Sequence, residues 1–112
     1  MNATDQLSLT FGALADPTRR DILTRLGNGP KTVSDLAEHY PMSRPAISQH
    51  LRVLESAGLI AREQRAQWRE CRVHDGGLDD VSTWIEKHRT DWSERFDALE
   101  ERIQAKRRAA ER

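Results

Sequence analysis

Six arginines, Arg44, Arg52, Arg62, Arg65, Arg69 and Arg72, fall between Ser43 and His74, and that stretch contains no lysine. A guanidinium is a planar fork of N–H groups. It can make two-pronged hydrogen bonds to a phosphate or to the O6 and N7 edge of guanine, which an ammonium cannot. The stretch holds six basic and three acidic residues, whereas residues 1–42 hold four and five, and residues 75–112 hold eight and ten. A chain of formal net charge zero therefore has a basic centre, the footprint expected of local nucleic-acid binding. An enzyme finds little support: there is no phosphate-cradling glycine loop, no nucleophile with a paired base and no ligand cluster, so neither a cofactor nor a metal is expected. Cys71 is the one cysteine, which excludes an intrachain disulfide. Its thiol could bridge two chains or be oxidised only by reaching the surface.

These side chains must be carried by short elements. The chain has 112 residues, 32% charged and 37% apolar, enough for one small domain with a thin core. Many chains this short complete their core at a subunit interface, so a dimer is expected. Leu7, Phe11 and Leu14 recur at helical spacing and predict a first helix ending near Ala15. Asp16-Pro17 is a helix start, with Ile22, Leu23 and Leu26 facing inward, and Gly27, Gly29 and Pro30 end that helix. Thr32 with Asp35 three residues on reads as a capping pair for a short helix that buries Val33, Leu36 and Ala37 and stops at Tyr40-Pro41. Ser43 caps another, with Pro45 in its first turn, Ile47, Leu51 and Leu54 spaced by four and three, and Gly58 just past its C-terminus. Two short helices about the turn from Tyr40 to Ser43 have the dimensions of a helix-turn-helix.

From Leu59 the pattern predicts a two-stranded hairpin, bending at Arg65-Ala66-Gln67 and returning through Cys71 and Val73, although the turn has no glycine. Asp75-Gly76-Gly77 closes it. Val81, Ile85, His88, Trp92, Phe96, Leu99 and Ile103 then form one apolar face, on a single long helix or on two nearly continuous ones. Lys106 to Arg112 are charged and expected to fray. No apolar stretch has the length of a spanning helix or a signal-peptide core, so no membrane partner is expected and the cytoplasm is the expected location.

The run Phe11-Gly12-Ala13-Leu14-Ala15-Asp16-Pro17-Thr18-Arg19-Arg20 resembles the opening signature of the ArsR family of bacterial repressors. So does Met42-Ser43-Arg44-Pro45-Ala46-Ile47-Ser48-Gln49-His50-Leu51-Arg52-Val53-Leu54-Glu55-Ser56-Ala57-Gly58-Leu59-Ile60. With the elements between and after them, the likeness covers about residues 7 to 74. It implies a mainly α fold with a small β-hairpin, a winged helix-turn-helix that is homodimeric through its N- and C-terminal helices. The whole chain, 1–112, would be one such domain, with dimerisation helices over about 78–106. The implied function is sequence-specific binding of a pseudo-palindromic operator in double-stranded DNA and repression of the protein's own or adjacent genes.

Carried over position by position, the resemblance places Ser43, Arg44, Pro45, Ser48, Gln49, His50 and Arg52 of the recognition helix at the DNA. A helix in the major groove presents its N-terminal part to base edges. Arg44 suits guanine and Gln49 adenine, each such two-pronged contact giving about 1–3 kcal/mol of discrimination. Ser43 and Ser48 are short donors, though capping alone would account for Ser43. Pro45 fixes the first turn and could meet a thymine methyl. In the wing, Arg62, Arg65, Gln67 and Arg69 form a polar tip over the backbone or minor groove, while Trp68 either packs beneath the wing or lies along the sugar-phosphate edge. Family members commonly carry glycine near Ala66 and an aromatic near Cys71, so this chain departs at both.

The family's metal-sensing residues do not carry over. The Cys-Val-Cys core of its sensors aligns with Thr32-Val33-Ser34, and hydroxyls are poor replacements for thiolates. The Asp and His ligands of its other common site have no counterpart in the order of Glu86, His88, Asp91 and Glu94. Trp84 and Trp92, followed by Arg95-Phe96-Asp97-Ala98-Leu99-Glu100, resemble the metal-independent branch. Leu7, Phe11, Trp84, Ile85, His88, Trp92, Phe96 and Leu99 are the expected dimer interface. An unknown small-molecule inducer, oxidation of Cys71 or no inducer at all are not separated by sequence. A competing reading is a winged-helix module that meets a protein partner and binds no operator.

Overall fold

A computed structural model describes residues 5–111. Met1 to Thr4 and Arg112 of the expected single domain lie outside the described residues. Five helices and three strands follow in the order α1 (Gln6–Leu14), α2 (Pro17–Leu26), β1 (Lys31–Thr32), α3 (Val33–Ala37), α4 (Arg44–Ser56), β2 (Ile60–Arg65), β3 (Trp68–Val73) and α5 (Asp79–Ala110). The backbone divides after Val81 into two units.

In the first unit each helix begins where a side chain satisfies an otherwise orphaned backbone donor. Asp16 accepts from the backbone N–H of Arg19 at 3.0 Å with Pro17 as the first helical residue of α2. Thr32 and Asp35 cap α3 reciprocally, at 3.1 and 3.2 Å. Ser43 Oγ accepts from Ala46 at the start of α4. That helix ends at Ala57, after which Gly58 turns the chain with a φ of +75° that a side chain would strain. Apolar residues spaced by three and four bring one face of each helix inward, so Ile22, Leu36, Ile47, Leu51 and Leu54 are fully buried in a single core with Ala13, Leu26, Ala57, Leu59, Ile60 and Cys71. Each leucine or isoleucine so placed contributes about 1.5–3 kcal/mol.

The expected two-stranded hairpin is a three-stranded antiparallel sheet of order β1-β3-β2. Lys31 and Thr32 pair with Cys71 and Glu70, and β2 pairs with β3 from Ile60 opposite Val73 to Arg65 opposite Trp68. Two residues cannot display strand periodicity, which is why β1 left no mark in the sequence. After β3, Gly77 packs against the backbone at Gly58; a Cβ there would lie 2.7 Å from the Gly58 carbonyl oxygen.

Helix α5, which begins before the division and runs on through the second unit, is one continuous helix of 32 residues that includes Lys106 to Ala110, where fraying was expected. Trp92, Phe96, Leu99 and Ile103 are half or more exposed along it, or nearly so, at 52, 69, 51 and 45%. His88 stacks on Trp84, ring centroids 4.1 Å apart, and meets the edge of Trp92. Among the described residues no helix is long and apolar enough to cross a membrane.

Candidate nucleic-acid interface

The periodicity that buries Ile47, Leu51 and Leu54 leaves the opposite ridge of α4, Pro45, Gln49 and Arg52, exposed beside Ser43 and Arg44 at the helix start. Arg52 Nη1 donates to Gln49 Oε1 at 2.6 Å, which holds the Gln49 amide with its NH2 available. Arg44 Nη2 donates to Ser34 Oγ at 2.7 Å, using one of five guanidinium N–H groups and leaving the rest of the fork. Ser48 is half-buried, and its carbonyl accepts from Arg62.

Two of the expected DNA contacts have partners within the fold. His50 is half-buried on the flank of α4, its Nδ1 3.3 Å from Arg19 Nη1 and 3.9 Å from Asp16 Oδ2, so its ring faces α2 and not the exposed ridge. Arg62 is not part of the wing tip. It sits opposite Cys71 within the sheet, donates to the Ser48 carbonyl at 3.2 Å and lies 3.6 Å from Glu55, thereby tying β2 to α4. Both residues lie beside the buried stripe, where a polar side chain reaches a neighbouring element before it reaches solvent.

At the wing tip Arg65, Gln67, Trp68 and Arg69 are exposed. Trp68 is 58% exposed, so of its two expected placements it does not pack beneath the wing. Ala66 takes a φ of +52°, the left-handed conformation that glycine ordinarily supplies.

The three carboxylates of the basic segment are matched within it. Glu55 faces Arg62, Glu63 faces Arg65 and Arg72, and Glu70 faces Arg65. The side chains of Arg44, Arg52 and Arg69 instead hydrogen-bond to the neutral groups of Ser34, Gln49 and Gln64. The segment's excess of three positive charges is thus localised to one arginine at the start of α4, one on its ridge and one on the wing.

Some positioning residues carry no motif. Gln6 Nε2 donates 2.7 Å to the carbonyl of Ala57, covering the C-terminal end of α4 from α1. Tyr40 donates to the Asp21 carboxylate, which also binds Arg25 at 2.9 Å, fixing the turn between α3 and α4 to α2. Burial and this hydrogen bond push the Tyr40 hydroxyl up to about 12. Only long-range packing brings these partners together, and the sequence spacing offers no signal for it.

The positions aligned with the sensors' cysteines are otherwise engaged: Thr32 caps α3 and Ser34 accepts from Arg44. Among the described residues no group of three or more His, Cys, Asp or Glu side chains is placed to hold a metal ion. Cys71 is 1% exposed, and burial pushes its thiol up against the opposing influence of Arg62, so the thiol is protonated and shielded.

The sequence profile described as the bacterial regulatory proteins of the arsR family matches residues 16–62, from the α2 cap into β2. The transcriptional repressor SdpR of Bacillus subtilis is 39% identical over 75 residues, covering 67% of this chain and 83% of that protein. A crystal structure of an ArsR family transcriptional regulator superposes with a TM-score of 0.74 at 37% identity, over 80% of this chain and 98% of that one. A winged helix-turn-helix domain from Mycobacterium bovis, described as homodimeric, shares the fold at 23% identity and a TM-score of 0.63, over 78% of this chain and 81% of that one. With its winged helix-turn-helix and its exposed, arginine-bearing α4 ridge, the chain belongs to the ArsR family and is a DNA-binding regulator of transcription, not an enzyme.

Proposed function

We propose that the protein is a homodimeric repressor whose two α4 helices enter successive major grooves of a pseudo-palindromic operator, about 34 Å apart. The observation that carries this reading is the localisation of unmatched positive charge to Arg44, Arg52 and Arg69, on the α4 ridge and the wing. Arg44 reads a guanine edge, and Gln49 reads a base through the amide that Arg52 orients. Ser43, Pro45 and Ser48 line the approach of the helix start. Arg65, Gln67 and Arg69 meet the backbone flanking the groove, with Trp68 along the sugar edge. Backbone contacts position the protein and base contacts specify the sequence.

Leu7 and Phe11 of α1 and the Trp84, Ile85, His88, Trp92, Phe96 and Leu99 face of α5 form the subunit interface. Phe11 is 38% exposed and Phe96 69% exposed, an amount of aromatic surface that a second copy would cover. The homodimeric relative supports the same assembly. Burial of Cys71 weighs against direct oxidation of its thiol as the releasing signal.

Selection of duplexes from a randomised pool, followed by binding titrations, tests the assignment. Arg44→Ala and Gln49→Ala should each reduce preference for the selected sequence by about 1–3 kcal/mol while leaving thermal stability unchanged. Arg69→Ala should weaken all duplexes alike and lower the slope of log K against log salt by about one. Unaltered sequence preference in the Arg44 and Gln49 variants would remove α4 from the groove.

A further inference from the structure

Arg19 joins three elements. Its Nε and Nη2 donate to the carbonyls of Ala13 and Gly12 at the end of α1, at 2.8 and 3.0 Å. Its backbone N–H donates to the Asp16 carboxylate that caps α2, at 3.0 Å. Its Nη1 reaches Nδ1 of His50 in the middle of α4, at 3.3 Å. A guanidinium has no acceptor and does not lose its proton, so the last contact is a hydrogen bond only when His50 Nδ1 carries a lone pair. The ring must then be neutral, with its proton on Nε2.

The charged groups facing His50 are Arg19 and Asp16, both from α2, while α1 supplies the two carbonyls that hold Arg19 in place. The backbone N–H of Arg19 above all, with the charge of its guanidinium, keeps the Asp16 carboxyl below its ordinary range, so it stays ionised wherever a histidine titrates. Protonation of His50 would set an N–H against the guanidinium, two cationic donors in contact. The ring could then pair only with Asp16, now 3.9 Å away, and the link from α4 to Arg19 would be lost.

We propose that His50 is a positioning residue for DNA binding: its neutral ring, accepting from Arg19, seats α4 on the α1–α2 junction, and its protonation unseats the helix and lowers operator affinity. The inference rests on the DNA-binding reading and reverses the sign expected of a histidine that touches DNA. A protonated imidazole on a phosphate would strengthen binding as the solution is acidified.

Affinity for a duplex enriched by this protein from a randomised pool, measured between about pH 7.5 and 5.5, separates the two. The wild-type chain should lose affinity on acidification, on the order of tenfold. His50→Asn places a non-titrating acceptor where Nδ1 lies; it should bind as the wild type does near neutrality and lack that loss. His50→Ala should bind more weakly throughout with an unchanged salt slope. Nitrogen NMR of the wild type at neutral pH should show the proton on Nε2. Tighter wild-type binding in acid, an identical pH profile in His50→Asn, or a neutral ring protonated on Nδ1 would each overturn the inference while leaving operator binding intact. Failure to enrich any duplex would overturn the DNA-binding reading and this inference with it.

Discussion

Whether a polar side chain in this protein stays exposed or holds the frame depends on which flank of its element it occupies. On α4, Gln49 and Arg52 lie opposite the buried stripe and face solvent, whereas His50 lies beside it and meets α2 through a ring nitrogen. Tyr40 is a framework residue of the same kind. Its folded-state value of about 12 lies above the ordinary 10.0, so the stability it contributes is present below about pH 10 and is lost as pH rises toward 12. Tyr40 is the only tyrosine, so ultraviolet titration of the phenolate should give one midpoint near 12, and Asp21→Asn should move it down. A wild-type midpoint at the ordinary value would mean that the bond to Asp21 is not made in solution. Cys71, buried with its thiol pushed up, should react with a thiol-specific aromatic disulfide reagent only as fast as the protein opens. Rapid stoichiometric labelling in native buffer would contradict that placement.

The helices were legible because their signals are local. Asp16-Pro17, Thr32 with Asp35, and Ser43 each begin a helix by satisfying a donor within three residues, and apolar spacings of three and four mark the buried faces. The sheet was only partly legible. The β2–β3 hairpin follows from its pattern, while β1 exists only because Lys31 and Thr32 run beside Cys71 and Glu70 after folding. Among the described residues the wing turn is the one connection in which a non-glycine residue, Ala66, adopts a left-handed φ. That conformation costs an L-residue about 1–2 kcal/mol, and glycine's larger unfolded-state freedom offsets about 0.4–1 of it. Ala66→Gly should therefore stabilise the fold by about 0.5–1 kcal/mol in denaturant unfolding. A destabilised variant would show that the turn is not in this conformation.

For the molecule as a whole, the α5 face from Val81 to Ile103 steps by four, three and four, and then by four, three and four again. An eleven-residue repeat of this kind keeps an apolar stripe nearly straight along a helix, or winds it slightly to the right, which suits lengthwise pairing with a second copy. Phe96 is the most exposed large apolar residue on that face. Phe96→Glu should shift sedimentation from dimer toward monomer and weaken binding to a two-half-site duplex far more than to a single half-site. A variant that stays dimeric at micromolar concentration would move the interface elsewhere.

The sequence by itself determined the helix starts, the hairpin, the basic centre and the family, because each is written in residues near one another along the chain. Only the tertiary structure decided which of those residues remain available. Folding matched three carboxylates to Arg62, Arg65 and Arg72, turned His50 toward Arg19 and enclosed Cys71. A side chain's partner is set by the element packed across from it, at separations of ten to fifty residues that local spacing does not encode.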